Sequence, residues 1–319
     1  MNKYNYVIFH KGCLDGFSGL IVLSTSNRIE NNAIIHPDVP STDIVPPNVN
    51  DKNVIIIDVA YKKQILEKIF MYAKSVVFID HHITIKNDTL ELKKKFSNKK
   101  NIEIVYDQKK CGASLTWKYL YDKPIPLFIK YVQDNDTGTW SMKHTRKLIA
   151  GLNVKYNMSL SYSNIKEWQK LLFDKKTIMQ LIKKGTIYHE YIDYLNDINS
   201  KRYTLQLFPS KLIYDKYPNL FTKIGQYKVA VYCGSGCPDV SLLSVKMLET
   251  TKCDFVVMWN YQFDKNKFVL SFRSKKVDVG KIAEIFNGGG HTLASAGSFN
   301  KTTYDITDLF LPESLPRNI

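Results

Sequence analysis

Three short apolar runs, Tyr6–Phe9, Val54–Ile57 and Val76–Ile79, constrain this chain most. None of them alternates polar with apolar residues, so each reads as a strand buried on both faces, the pattern of a parallel sheet. Each run is followed at once by chemistry-bearing side chains: His10 after the first, Asp58 after the second, and Asp80, His81 and His82 after the third. The segments between them, Phe17–Leu23 and Tyr61–Tyr72, carry helical spacing, and helical connections make successive strands parallel. Five metal-competent groups therefore reach the carboxyl edge of one sheet, which is where open α/β sheets bind ligands. A mixture of carboxylates and imidazoles suits Mn2+ or Mg2+ better than structural zinc, and the set is large enough for two ions.

Further along, Ile102–Val105 reads as another strand and Leu115–Leu120 as a helix entered through the small residues Gly112, Ala113 and Ser114. Leu127–Val132 reads as a helix running into Asp134 and Asp136, with Gly138 to turn the chain. Acids at a helix C-terminus oppose the macrodipole, which calls for a cationic neighbour. From Ile165 to about Asn199 the pattern is helical, lysine-rich and free of proline, as expected of connecting helices. The second half predicts strands at Tyr227–Tyr232, Phe255–Trp259 and Lys267–Phe272, with helices at Ser241–Glu249 and Val279–Phe286. Arg273 closes the last of these strands. Gly288-Gly289-Gly290-His291 follows the last helix, and the small residues Ala294–Gly297 behind it predict a helix start, an anion-binding design. Arg273 and His291 are both suited to hydrogen-bonding a phosphate. The predicted class is α/β: an N-terminal parallel-sheet domain over 1–160, a helical linker over 161–200 and a smaller C-terminal α/β domain over 201–319.

The 319 residues hold 45 Lys+Arg against 30 Asp+Glu, a net charge of +15. With a pI near 9.3, this favours polyanionic partners such as nucleic acid, nucleotides or polyphosphate. A lysine-rich composition drifting from an AT-rich coding sequence gives the same balance. The run Lys93–Lys95 with Lys99 and Lys100 reads as a solvated loop. Five cysteines show neither zinc-site pairs nor disulfide-framework density, which points to a reducing compartment. The N-terminal apolar run is too short for a signal or a membrane span, so a cytoplasmic protein without a membrane partner is expected.

The ordered set His10-x-x-Cys13-x-Asp15-Gly16, Asp58, Asp80-His81-His82, Asp134 and Gly288–His291 resembles the motifs of the DHH phosphoesterase superfamily, over nearly the whole chain. Its members include single-strand exonucleases, nano-RNases, cyclic-dinucleotide phosphodiesterases and exopolyphosphatases. Pyrophosphatases of the superfamily lack the GGGH segment, so the resemblance points to the nuclease-like branch. It implies two Mn2+ or Mg2+ ions, with Asp58 bridging, His10 and Asp15 on one side, and His81 and Asp134 on the other. Asp80 would orient a ligating imidazole, and His82 would touch the scissile phosphate or assist the leaving oxygen. Arg273, Gly288, Gly289, Gly290 and His291 would grip a terminal phosphate across a cleft between the domains. Two features depart from the family pattern. Cys13 stands where a carboxylate is usual in the first motif, which makes it a candidate ligand of an H-x-x-C-x-D-G branch. Asp136-Thr137-Gly138 matches the D-T-G of nano-RNases, so Asp136 stays beside Asp134 as a candidate ligand.

The implied activity is hydrolysis of short single-stranded oligonucleotides. Alternatives are hydrolysis of 3'-phosphoadenosine 5'-phosphate, a cyclic dinucleotide or polyphosphate, or a nucleotide- or nucleic-acid-binding protein with a weakened metal site. The sequence leaves the oligomeric state open, a homodimer included.

Overall fold

The computed structural model describes residues 3–40, 42–237 and 239–313; the tail of the expected C-terminal domain, 314–319, lies outside them. The chain divides into two compact units, Met1–His189 and Glu190–Ile319.

The first unit is built on strands β1 (Tyr4–His10), β2 (Ile29–Asp38), β3 (Asn53–Ile57), β4 (Ser75–Asp80) and β5 (Ile102–Tyr106). All pairings are parallel, in the order β2-β1-β3-β4-β5. The three apolar runs are the three central strands. They are buried on both faces for a visible reason: Tyr6, Ile8, Val54, Ile56, Val76 and Phe78 pack into one core, while Val7, Phe9, Ile55, Ile57, Val77 and Ile79 pack into the other. Helices α1 (Leu14–Ser24), α2 (Lys63–Tyr72), α3 (Lys86–Lys95) and α4 (Gly112–Leu120) cover the two faces. Strand β2 has no counterpart among the sequence expectations, because an edge strand with only partial burial carries no continuous apolar run.

The chain leaves β1 toward β2 on one side and returns to β3 on the other, so the connection reverses direction between β1 and β3. Such a switch point opens a crevice at the carboxyl ends of the strands. Helix α5 (Leu127–Asp136) runs four residues past its predicted end at Val132 and carries Asp134 and Asp136 in its last turn, not beyond it. Helix α6 (Thr145–Lys155) was not foreseen. The stretch expected as a linker is two helices, α7 (Tyr162–Phe173) and α8 (Lys175–Asn199). Trp168, Leu171 and Leu172 of α7, with Ile178, Leu181 and Ile182 of α8, belong to the core of the first unit.

The second unit is a mixed sheet of β6 (Thr204–Phe208), β7 (Tyr227–Cys233), β8 (Phe255–Gln262), β9 (Lys267–Ser274), β10 (Gly289–His291), β11 (Ala294–Asn300) and β12 (Leu311–Pro312). Its order is β10-β11-β9-β8-β7-β6-β12, and only the β7–β8 pairing is parallel. Helices α9 (Lys211–Lys216), α10 (Val240–Thr250) and α11 (Val279–Ile285) accompany it. No helix starts after the glycine run: Gly289–His291 forms an edge strand paired with β11, into which the small residues Ala294–Gly297 are drawn. Among the described residues, no helix is long and apolar enough to cross a membrane.

Candidate metal centre

The parallel sheet delivers His10 at the end of β1, Asp58 just after β3, and Asp80, His81 and His82 from the end of β4, all to one edge. Asp58 is the hub. Its Oδ2 lies 3.3 Å from His10 Nδ1, and its Oδ1 lies 3.1 Å from His81 Nε2 and 3.8 Å from His82 Nδ1. The residue is 1% exposed and holds a left-handed backbone at φ 64°. Aspartate tolerates that region better than most side chains, and strain of this kind persists only where the surroundings impose it. His81 Nε2 is also 3.6 Å from Asp15 Oδ2 and 3.3 Å from Asp136 Oδ2. Two groups of ligand atoms lie within 4.8 Å of one another: His10, Asp58 and His82, and Asp15, Asp58 and His81.

Asp15 is supplied by the first turn of α1 and held by a different helix. The backbone N–H groups of Gly112 and Ala113, at the start of α4, donate to its two carboxylate oxygens. A helix N-terminus with free N–H groups is a natural carboxylate site. Gly112 is required there, since a Cβ on it would stand 2.7 Å from Asp58 Cβ.

The charge balance is tight. Burial raises the Asp15 carboxyl well above its ordinary value, and the Asp58 and Asp136 charges add to this. Burial would also raise Asp58, but hydrogen bonds from His10 and His81 and the His82 and His81 charges hold it below the usual carboxylate range. For His81, burial opposes protonation; the Asp58 hydrogen bond and the Asp15, Asp136 and Asp58 charges outweigh it and lift the imidazole to about 10. His82 is lifted to about 9, with burial again outweighed by the charge and hydrogen bond of Asp80 and by the Asp58 charge. Burial raises Asp136 to about 6, the neighbouring histidines pulling down and Asp58 pushing up.

Three sequence assignments change. Asp134 is not in the cluster. Its carboxylate accepts from Thr139 Oγ1, from Ser141 N and Oγ, from Met142 N and from Thr145 Oγ1, and so organises the loop after α5. Burial would raise it, but those donors hold it at about 2. Asp136, two residues on, faces His81 instead. The second change concerns Asp80, whose Oδ1 accepts from His81 N at 2.6 Å, His82 N at 2.8 Å and His82 Nδ1 at 2.9 Å. The imidazole it orients is His82, not the His81 ring expected as the ligand. The third is His82 itself, which stands in a ligand group with His10 and Asp58.

Cys13 precedes α1 and belongs to neither ligand group. Burial and the Asp58, Asp15 and Asp136 charges push its thiol well above its ordinary value. Asp38, at the end of β2 in register with His10, lies in neither ligand group, and its carboxylate accepts from Tyr61 Oη.

The donor set fits hard divalent ions: carboxylate oxygens and imidazole nitrogens, with Asp136 Oδ2 and Asp80 Oδ2 buried and without a hydrogen-bond partner. In the second unit, Arg273 sits at the end of β9. Its Nη1 donates to Phe272 O at 2.8 Å and Ser295 O at 3.4 Å, and its Nη2 donates to Ser241 Oγ at 2.8 Å, in the first turn of α10. His291 closes β10, in register with Ala294, which itself pairs with Arg273.

No family model matches the chain. It is 26% identical over 316 residues to an uncharacterized protein of Acanthamoeba polyphaga mimivirus, covering 94% of this chain and 68% of that protein. Among solved structures it superposes on a pGpG-specific phosphodiesterase from Vibrio cholerae with a TM-score of 0.50 at 14% identity, covering 93% of this chain and 94% of the other. An exopolyphosphatase-related protein from Bacteroides fragilis superposes more loosely, with a TM-score of 0.42 at 13% identity over 93% and 87% of the two chains. The chain thus shares the α/β fold of the Vibrio structure, with a parallel sheet followed by a mixed one.

Proposed function

We propose that this chain is a metal-dependent phosphoesterase of the DHH type that hydrolyses phosphodiester bonds in short single-stranded oligonucleotides. The observation that carries the reading is the pair of ligand groups sharing Asp58 at the switch point of a parallel sheet. A fold in common with a phosphodiesterase specific for pGpG, a dinucleotide, supports the short-oligonucleotide end of the range.

In this reading His10, Asp58 and His82 would hold one ion and Asp15, Asp58 and His81 a second, with Asp136 beside His81. Mn2+ or Mg2+ held there would supply an activated water and offset the charge gained at phosphorus. The chain's own residues do the positioning. Asp80 Oδ1 lies 2.9 Å from His82 Nδ1 and so orients this ring. The α4 N-terminus holds Asp15 by both oxygens, which fixes the carboxylate before any ligand arrives. Sharing the Asp58 carboxylate keeps the two groups at a set separation. We assign phosphate binding in the second unit to Arg273 and to Gly288, Gly289, Gly290 and His291, on the donor chemistry of these groups.

The test is release of mononucleotide from two- to five-residue single strands in Mn2+ or Mg2+, with Asp58→Ala and His81→Ala beside the wild type. Turnover by wild type that EDTA and both substitutions abolish is the expected result. Turnover only of 3'-phosphoadenosine 5'-phosphate, a cyclic dinucleotide or polyphosphate in the same panel would move the substrate assignment. Nucleotide binding without any turnover would mark a binding protein with a weakened metal site.

A further inference from the structure

We propose that Trp140 is a stacking platform for a nucleobase of the substrate, so that this site selects nucleotides over base-free phosphates. The inference rests on the phosphoesterase reading for its biological sense, but its observations are separate. Of the four tryptophans, Trp117 and Trp168 are buried and Trp259 is half-buried, while Trp140 is 37% exposed. It follows Asp136 by four residues, and Asp136 is the carboxylate that faces His81. Its Nε1 lies 3.8 Å from where a Cβ on Gly138 would stand, so the indole sits beside the turn that follows α5.

The backbone of Trp140 is left-handed, at φ 50°. That conformation is an outlier for a bulky side chain and persists only when the surroundings over-determine it. Here they do. Asp134 grips the residues on both sides, taking hydrogen bonds from Thr139 and Ser141, while Trp140 N donates to Asp134 O at 3.4 Å. Asp134 thus holds the backbone on either side of Trp140. One face of that ring is covered by the Arg146 guanidinium, 4.7 Å from the centroid. A guanidinium on one face holds the ring still, and a stacked aromatic ligand would use the other. A nucleobase fits such a face whatever its identity, because every base offers a π surface, whereas polyphosphate has none.

The experiment uses the full chain in Mn2+ and compares binding of guanosine 5'-monophosphate with that of ribose 5-phosphate. Trp140→Gly removes the ring while suiting the left-handed backbone, and Trp140→Phe keeps an aromatic ring. Wild type should bind the nucleotide more tightly than the sugar phosphate. Trp140→Gly should weaken the nucleotide by about tenfold, within the range for one stacked base, and leave ribose 5-phosphate unchanged; Trp140→Phe should retain most of the preference. In hydrolysis of a dinucleotide, the Trp140→Gly loss should appear in KM, not kcat, as befits contact kept through the reaction. Equal binding of the two ligands by wild type, or an undiminished preference in Trp140→Gly, would overturn the proposal. A Trp140-dependent preference in a protein that hydrolyses no phosphodiester supports the stacking site and rejects only the hydrolase reading.

Discussion

Asp134 and Asp136 are two residues apart in the last turn of one helix, and residues at that spacing do not share a face. Their fates follow from this. Asp136→Ala should lower kcat/KM by at least about 100-fold, at or beyond what losing an outer partner of a metal site costs, with the melting temperature little changed. Asp134→Asn should do the reverse: activity falls less, while stability falls by about 2–3 kcal/mol, the scale of hydrogen bonds to a charged group. The pH dependence separates the two further. Asp134 is held at about 2 in the folded protein, below the unfolded value of about 3.9. Its contribution is therefore complete above that unfolded value and is lost as pH falls through about 2, so Asp134→Asn should flatten the acid limb of a denaturation profile between those values. At the metal centre the sign runs the other way. His81 and His82 are lifted to about 10 and about 9 without metal, so they are protonated at neutral pH. Mn2+ must displace those protons, and its affinity should rise with pH from 6 to 9. Calorimetry in two buffers of different ionisation enthalpy reads the release; binding without proton release would show that these imidazoles are not ligands.

At the scale of elements, the seam between β3, α1 and α4 is the most sensitive joint. A Cβ on Gly112 would also stand 3.0 Å from Asp15 Oδ2, and neither that carboxylate nor Asp58 has room to retreat in a buried cluster. Gly112→Ala should therefore cost metal affinity by about tenfold or more, the scale set by displaced supporting groups, and the cost should exceed what its effect on the thermal midpoint suggests. Isothermal titration with Mn2+ beside a melting curve checks this. An intact affinity would mean that α4 can shift without disturbing either carboxylate. Elements differed in how plainly they could be read. The central strands were visible because burial on both faces leaves unbroken apolar runs. Strand β2, at the sheet edge and only partly buried, left a weaker trace. The glycine run was misread as a helix entrance because small residues permit close backbone approach in a hairpin as well. A Cβ on Gly288 would lie 2.0 Å from Ala296 O, so the neighbouring strand decides the case.

For the whole molecule, the net charge of +15 is a statement about long-range attraction, not about fold. Under the proposed function, KM for a single strand should rise between 50 and 200 mM salt, and more steeply for a five-residue strand than for a dinucleotide, by a slope of about 0.7 for each phosphate engaged. A KM indifferent to salt would assign the lysines to solvation alone. The sequence by itself determined the α/β class and the parallel order of the central strands, because apolar runs and helical periods are local properties. It also placed His10, Asp58 and the Asp80–His82 triplet at strand ends, since a strand's end is where its apolar run stops. Tertiary structure alone decided which of these groups meet. It put Asp136 in place of Asp134 at the cluster, turned Asp80 toward His82, and left Cys13 outside both ligand groups. Those outcomes depend on the phase of one helix turn, on one left-handed aspartate and on two N–H groups from a helix 97 residues further along the chain. None of these is encoded in the spacing of the motifs themselves.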